Sequence, residues 1–564
     1  MKNQGKTEIL KVIPLGGQGE IGKNCWIFEY KEEIIIVNFG MMLPPHNLTG
    51  VDLVLPGTNY LIENQEKIKG LVITSAHDDS CGGIFYLLNK LKIPKIWGSR
   101  LAVEFIKTQL KETSLPEVEF LQSRKEFQIG NEFIIKPICN TSTLPDTFGL
   151  LIQNEGGNIL YTGSYKIDQT PPDKVLFDHF SYSQAGEDGV DLLISDSTNI
   201  ESPGYSQPEL AITKRFNELF KESTSRIIIV GYASNLYKYQ IIFDLAYKNN
   251  RKILLCGKYL VDKIQSAIKT GFIKVDKDLF VQENDLEKVK DKELIILASG
   301  KYGNLLTALI EIAKKEHPIV KLKPKDTLVI SGNPPQGTTR LIAHTIDQLF
   351  VEKVQVVGGR GQGVHVSGHA ACEEAKFMLT ITKPRSFVPS SGEERHLVIY
   401  ANLAEDIGIS SNDVHILKNG DVLELREQVA RIANKIPAQS IYYNLAQGLD
   451  IDEITMKERQ SLSQEGTITV ALVLDESRNI IAGPQILAEA CSFAKGKDWR
   501  AFCLGTNELI KEAVKQAVER KEKDLINIKS VVRDTVNKTV LELIGKRPLI
   551  NIAIQEVTHK ALKS

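Results

Sequence analysis

Four runs of five or six residues, 227–232, 252–256, 294–299 and 327–331, most constrain what this chain can fold into. They are apolar almost throughout and do not alternate. A strand with one face in water alternates apolar and polar residues, whereas a strand covered on both faces does not. Helical patterns at 238–248 and 305–315 lie between these runs. Parallel strands need such crossovers, because their ends lie at opposite edges of the sheet. The spacing predicts a parallel α/β unit that starts near Arg226 and closes near 354–359.

The segments on either side have a different rhythm. Short strand-like runs at 10–15, 25–30, 33–38, 71–74, 133–137, 150–153 and 158–162 alternate with turn residues. Helical patterns fall at 83–91, 100–112 and 209–222. This is a layered α/β pattern rich in hairpins. Strand and helix resume through Phe387 and 397–403, and a polar stretch at 438–452 reads as a linker. Strands at 466–474 and 480–487, with helices at 506–518 and 527–544, make a small α/β tail. At 564 residues the chain is too long for one core.

Composition excludes several classes. A net charge of -1 gives no global basic footprint, so nucleic acid would need a local patch. The 7 cysteines are scattered with no C-x-x-C, which argues against a disulfide framework or a zinc knuckle. Reduced thiols, a polar segment at 1–8 and no apolar run of spanning length predict a cytoplasmic protein without membrane contact.

Several ordered motifs carry a resemblance. Pro14-Leu-Gly-Gly-Gln-Gly-Glu-Ile-Gly-Lys-Asn24 opens the chain. Ser195-Asp-Ser-Thr-Asn199 with Pro203-Gly-Tyr205, Ala233-Ser-Asn235, His365-Val-Ser-Gly-His-Ala370, and Pro389 with Gly392-Glu393 follow in order. This set resembles the ribonuclease J family of metallo-β-lactamase/β-CASP RNA-processing nucleases, nearly end to end. The resemblance implies an α/β fold, a four-layer αββα metallo-β-lactamase sandwich with an inserted β-CASP α/β domain and a small C-terminal α/β domain. The implied bounds are 1–208 and 365–440 for the sandwich, 209–364 for the insertion, 441–463 for a linker and 464–564 for the tail.

Active members of that family hold two metal ions in seven ligand positions, and the metals activate water and stabilise the phosphate in flight. In this chain the H-x-H-x-D-H loop reads Ser75, His77, Asp79 and Ser80 at its ligand slots. The H-S-x-P-D turn is Ser142-Thr-Leu-Pro-Asp146, so its histidine is Ser142. The bridging aspartate of T-G-D is Ser164, and the last histidine falls at Ser391 in Ser390-Ser391-Gly392. Only His77 and Asp79 keep a ligand type. A serine hydroxyl lies outside the usual zinc donors, and without a bridging carboxylate nothing offsets two adjacent dications. The expected cofactor is therefore none, with zinc or manganese bound only if the site is remodelled. Asn38, where the family has an aspartate, and Tyr237, where it has a histidine, depart in the same direction.

What remains suits RNA. His365, Ser367, Gly368, His369 and Ala370 form the loop that grips a phosphate in the family, through imidazole, hydroxyl and backbone donors. Asp196 matches the first β-CASP acid, so His77, Asp79, Asp196 and His369 are vestiges of the catalytic set. Arg360, between glycines, is a further phosphate candidate, and Lys321, Lys323 and Lys325 read as a solvated edge strand. The expected function is an RNA-binding, catalytically impaired subunit that forms homo-oligomers or scaffolds an active paralogue in RNA decay. The alternatives are an active metal-dependent 5′→3′ exoribonuclease and endoribonuclease with a remodelled site, and a protein-interaction module without RNA binding.

Overall fold

The computed structural model describes residues 8–557 except 46, 47, 49, 111–113, 334–336, 360, 521–523 and 546. Two compact units emerge, one of Met1–Leu43 with Leu53–Ile441 and one of Pro44–Asp52 with Tyr442–Ser564.

In the first unit two mixed sheets face each other. One has eight strands, in the order Val429–Lys435, Asp421–Arg426, Leu10–Gly16, Cys25–Tyr30, Glu33–Val37, Ile68–Ile73, Lys95–Gly98 and Glu117–Phe120. The other has six, in the order Ser386–Ser390, Leu192–Asp196, Gly157–Tyr161, Thr147–Asn154, Phe133–Asn140 and Phe127–Ile129. Their inner faces share one core, in which Val12, Trp26, Phe28 and Ile35 of the first sheet meet Phe133, Leu150, Ile152 and Tyr161 of the second. The outer face of the six-stranded sheet buries Ile138, Leu160, Leu193 and Phe387 against Tyr182, Met378 and Tyr400 of helices His179–Asp188, Cys372–Thr382 and Glu394–Asp406. Sheets inside and helices outside make the αββα sandwich.

Inserted in the same unit is a five-stranded sheet, parallel throughout, in the order Lys252–Cys256, Leu294–Ala298, Ile227–Gly231, Thr327–Ser331 and Gln355–Gly358. Its three inner strands are buried at every position, which is why their sequences do not alternate. Lys321, Lys323 and Lys325, expected as an edge strand, lie outside any strand. Lys325 has φ 74°, and Lys323 donates to Asp291 at 2.6 Å. A left-handed residue breaks the extended run.

The second unit pairs Thr467–Leu474 with Ile480–Glu489 antiparallel and with Leu549–Glu556 parallel. The strand Thr467–Leu474 buries alternate residues against helices Gly496–Glu519 and Leu525–Ile544. The stretch 441–463, expected as a linker, carries regular structure. It holds antiparallel strands Ile441–Asn444 and Leu449–Ile451 and most of helix Glu453–Glu465. Asp452 caps that helix by accepting from the Thr455 amide at 2.6 Å. Polar composition hid these elements because they are mostly exposed. No helix among the described residues is long and apolar enough to cross a membrane.

Candidate functional site

The site collects at the ends of strands from both facing sheets. After strand Ile68–Ile73 the chain turns through 74–77 into the short helix Asp78–Cys81. Asn38 fixes this turn. It is fully buried at φ 62°, its Oδ1 accepts from the Thr74 amide at 2.9 Å and the Thr74 hydroxyl at 3.0 Å, and its Nδ2 donates to Tyr161 at 3.2 Å. An amide satisfies both a donor and an acceptor neighbour without charge.

Four of the five serines expected in ligand slots are hydrogen-bonded within the protein. Ser75 Oγ accepts from the His77 amide at 3.0 Å. Ser80 Oγ donates to Asp79 Oδ1 at 2.8 Å. Ser142 Oγ donates to the Gly368 carbonyl at 3.0 Å, and Ser391 Oγ donates to Asn24 Oδ1 at 3.2 Å. Ser164 is buried at the end of strand Gly157–Tyr161.

The four residues expected as vestiges of a catalytic set come together as two histidine–carboxylate pairs. His369 Nδ1 lies 2.6 Å from Asp196 Oδ2, and His77 Nδ1 lies 3.1 Å from Asp79 Oδ1. The two imidazoles meet edge to face with centroids 6.3 Å apart. Burial works against the charge of His369, but Asp196, and more weakly Asp79, outweigh it and raise its pKa. Burial likewise opposes charge on Asp79, yet His77, His369 and the Ser80 hydroxyl hold its pKa below the ordinary range. Asp196 Oδ1 also accepts from the Thr198 amide at 3.0 Å and its hydroxyl at 2.6 Å, which orders the Ser195–Asn199 loop.

A two-metal centre does not fit these residues. Among the described residues no group of three or more His, Cys, Asp or Glu side chains is placed to hold a metal ion. Asp196 is hydrogen-bonded by His369, and Asp79 lies 3.1 Å from His77 Nδ1, a buried atom without a hydrogen-bond partner among the described residues.

The 365–370 loop is braced from several sides. Lys166 Nζ donates to the Ser367 carbonyl at 3.1 Å, and the His369 carbonyl accepts from Asn199 at 3.1 Å and Ser206 at 2.7 Å. The Ser367 hydroxyl accepts from the His369 amide at 3.2 Å. Gly368 is required by packing, since a Cβ there would stand 2.3 Å from Thr143 Cγ2. Ala370 is buried. His365 Nδ1 sits 3.3 Å from Lys238 Nζ, and burial together with Lys238 and Lys166 drives its pKa well below the ordinary value. Arg360 lies outside the described residues.

Several residues that matter to the site were not singled out in the sequence, Lys166 beneath the 365–370 loop among them. Lys263 and Tyr259 of helix Lys258–Lys269 reach Asp78, at 2.8 and 2.6 Å. Asp173 accepts from Tyr237 Oη at 2.6 Å. A signal for Lys263 existed, because it falls on the apolar stripe Leu260–Ile264–Ala267 of its helix. Tyr259 and Asp173 carry no comparable signal. Asp146 has a structural use, accepting from the Leu101 amide at 2.9 Å near the start of helix Arg100–Gln109.

An αββα sandwich with a parallel α/β insertion, joined at the Ser195–Asn199 and His365–Ala370 loops, defines a metallo-β-lactamase-fold protein of the β-CASP class. Three family models match, described as "Ribonuclease J, beta-CASP domain" at 224–349, "Zn-dependent metallo-hydrolase RNA specificity domain" at 353–417 and "Ribonuclease J C-terminal domain" at 454–557. Ribonuclease J of Synechocystis sp. is 38% identical over 86% of this chain and 76% of its own length. The chain belongs to the ribonuclease J family. Ribonuclease J2 of Bacillus subtilis is 33% identical over 98% of this chain and 99% of its own. Ribonuclease J 1 of Streptococcus pyogenes is 33% identical over 97% of each chain. A solved structure of a protein of unknown function from Enterococcus faecalis aligns over 74% of this chain and all of its own, with TM-score 0.51 and 15% identity, a likeness of fold alone.

Proposed function

We propose that this chain is a ribonuclease J-family RNA-binding subunit whose two-metal chemistry is lost, and that it works in RNA decay as a scaffold for an active paralogue. The observation that carries this reading is the serine set. Ser75, Ser80, Ser142 and Ser391 are committed to protein partners, and Ser164 replaces the bridging carboxylate. Zinc needs thiolate, imidazole or carboxylate donors, and His77 with Asp79 supplies too few for two ions.

RNA remains the ligand in this reading. The His365–Ala370 loop keeps its phosphate-facing residue types, and Lys166 and Lys238 lie beneath it. The names of the relatives and of the matched domain, which is described as an RNA specificity domain, support the same substrate class. Fold and chemistry are separable, so assembly can outlast catalysis.

The test is decay of 5′-monophosphorylated RNA by the purified chain with added Mn²⁺, alongside RNA binding by fluorescence anisotropy. Binding without decay supports the reading. Turnover attributable to this chain sinks it in favour of a remodelled active site. Neither binding nor decay leaves a protein-interaction module.

A further inference from the structure

The loop 75–83 is tied to the sandwich by backbone bonds, among them Met41 N–H to the Asp78 carbonyl and Phe39 N–H to the Ser80 carbonyl, both at 2.9 Å, and it is held from the other lobe as well. Lys263 is buried, with its side chain 2% exposed. Its ammonium donates to the Ala76 carbonyl, lies 2.8 Å from Asp78 Oδ1 and stands 3.9 Å from the centre of the Phe105 ring. A buried ammonium persists only when its charge and protons are all met, and a carbonyl, a carboxylate and an aromatic face do so. One turn earlier on the same helix face, Tyr259 Oη donates to the same Asp78 Oδ1 at 2.6 Å and accepts from Gln109 Nε2 at 3.4 Å. The Tyr259 ring meets Phe105 edge to face at 5.2 Å. At the far end of the helix Lys269 pairs with Glu104.

All these partners sit on two segments of the sandwich, 76–78 and helix Arg100–Gln109, and Lys263 and Tyr259, which both reach the Asp78 carboxylate, lie on one helix of the inserted domain. We propose that helix Lys258–Lys269 is a latch that keeps the β-CASP lobe closed on the ligand-slot loop with no metal required. Parting the lobes at this edge exposes the ammonium and strips Asp78 of both donors at once. Tyr237 supplies a second fastening. Its amide donates to the Thr143 carbonyl at 3.1 Å and its hydroxyl to Asp173. The latch rests on Asp78 and Ala76, neither of them a ligand slot, so it stands whether or not the proposed loss of catalysis does.

Hydrogen–deuterium exchange of the full chain in chelator tests it, comparing wild type with Lys263→Met, with the near-isosteric Asp78→Asn and with the double variant. The latch requires Lys263→Met to speed exchange in 76–83 and 258–269 together, by about tenfold or more, while Ile227–Gly231 and Thr327–Ser331 stay protected. Asp78→Asn reproduces part of the effect, and the double variant adds little beyond Lys263→Met. Unchanged exchange in both segments, or effects of the two substitutions that simply add, overturns the latch.

Discussion

Ser142 Oγ donates to the carbonyl of Gly368 at 3.0 Å, joining the turn after strand Phe133–Asn140 to the 365–370 loop. The bond spans 226 residues of sequence and is buried. Ser142, at the position expected from the family resemblance to be a metal-binding histidine, is a direct tie between the two halves of the site.

Ser142→Ala removes that tie and leaves a buried carbonyl without its donor. The expected loss is about 1–3 kcal/mol of stability, because an unmet buried acceptor costs more than a hydrogen bond gains. Urea denaturation of the full chain measures it, and a midpoint equal to wild type contradicts the assignment.

Gly368→Ala tests the packing beneath the loop. The new Cβ would stand 2.3 Å from Thr143 Cγ2 and 3.3 Å from Ser142 Oγ, so the loop must move outward. Overpacking of this kind costs about 1–3 kcal/mol. RNA affinity is expected to fall together with stability, and anisotropy titration on the folded variant reads it.

His365 predicts a pH dependence. Its folded pKa lies well below the ordinary imidazole value, through burial and then the charges of Lys238 and Lys166. The unfolded chain takes up a proton near pH 6.5 that the folded chain refuses. Stability from this group is complete above about pH 6.5 and declines as pH falls toward the folded value. His365→Gln removes this part of the slope between pH 7.5 and 5.5 in urea titrations, and an unaltered slope contradicts it.

Introducing the family's ligand types tests the proposed loss of chemistry from the other side. Ser75→His, Ser80→His, Ser142→His, Ser164→Asp and Ser391→His together refill the slots, with His77 and Asp79 in place. The full set is expected to bind zinc, whereas each single reversion does not, because one donor cannot offset two dications. Zinc titration by calorimetry distinguishes the two.

Much of the fold was legible because burial writes itself into residue type. The unbroken apolar runs gave Lys252–Cys256 and Thr327–Ser331 at both ends, and their lack of alternation gave the parallel sheet. Exposed or short elements left weaker traces. Strand Val429–Lys435 is mostly exposed, Glu117–Phe120 is an edge, and Leu549–Glu556 alternates only loosely, so none reads clearly as a strand. At the site, residue types carried the expectation that serines stand in the ligand slots. They could not show that Ser142 reaches Gly368 or that Lys263 reaches Ala76, contacts that span 226 and 187 residues. The pairing of His369 with Asp196, 173 residues apart, is of the same kind.

The most direct test of the account is the metal content of the purified full chain by mass spectrometry, after incubation with excess zinc or manganese and removal of free ions. The expected result is no stoichiometric metal, with a melting temperature indifferent to chelator. Two ions per chain, lost with chelator and accompanied by a fall in melting temperature, would contradict it and require ligands other than the surviving His77 and Asp79.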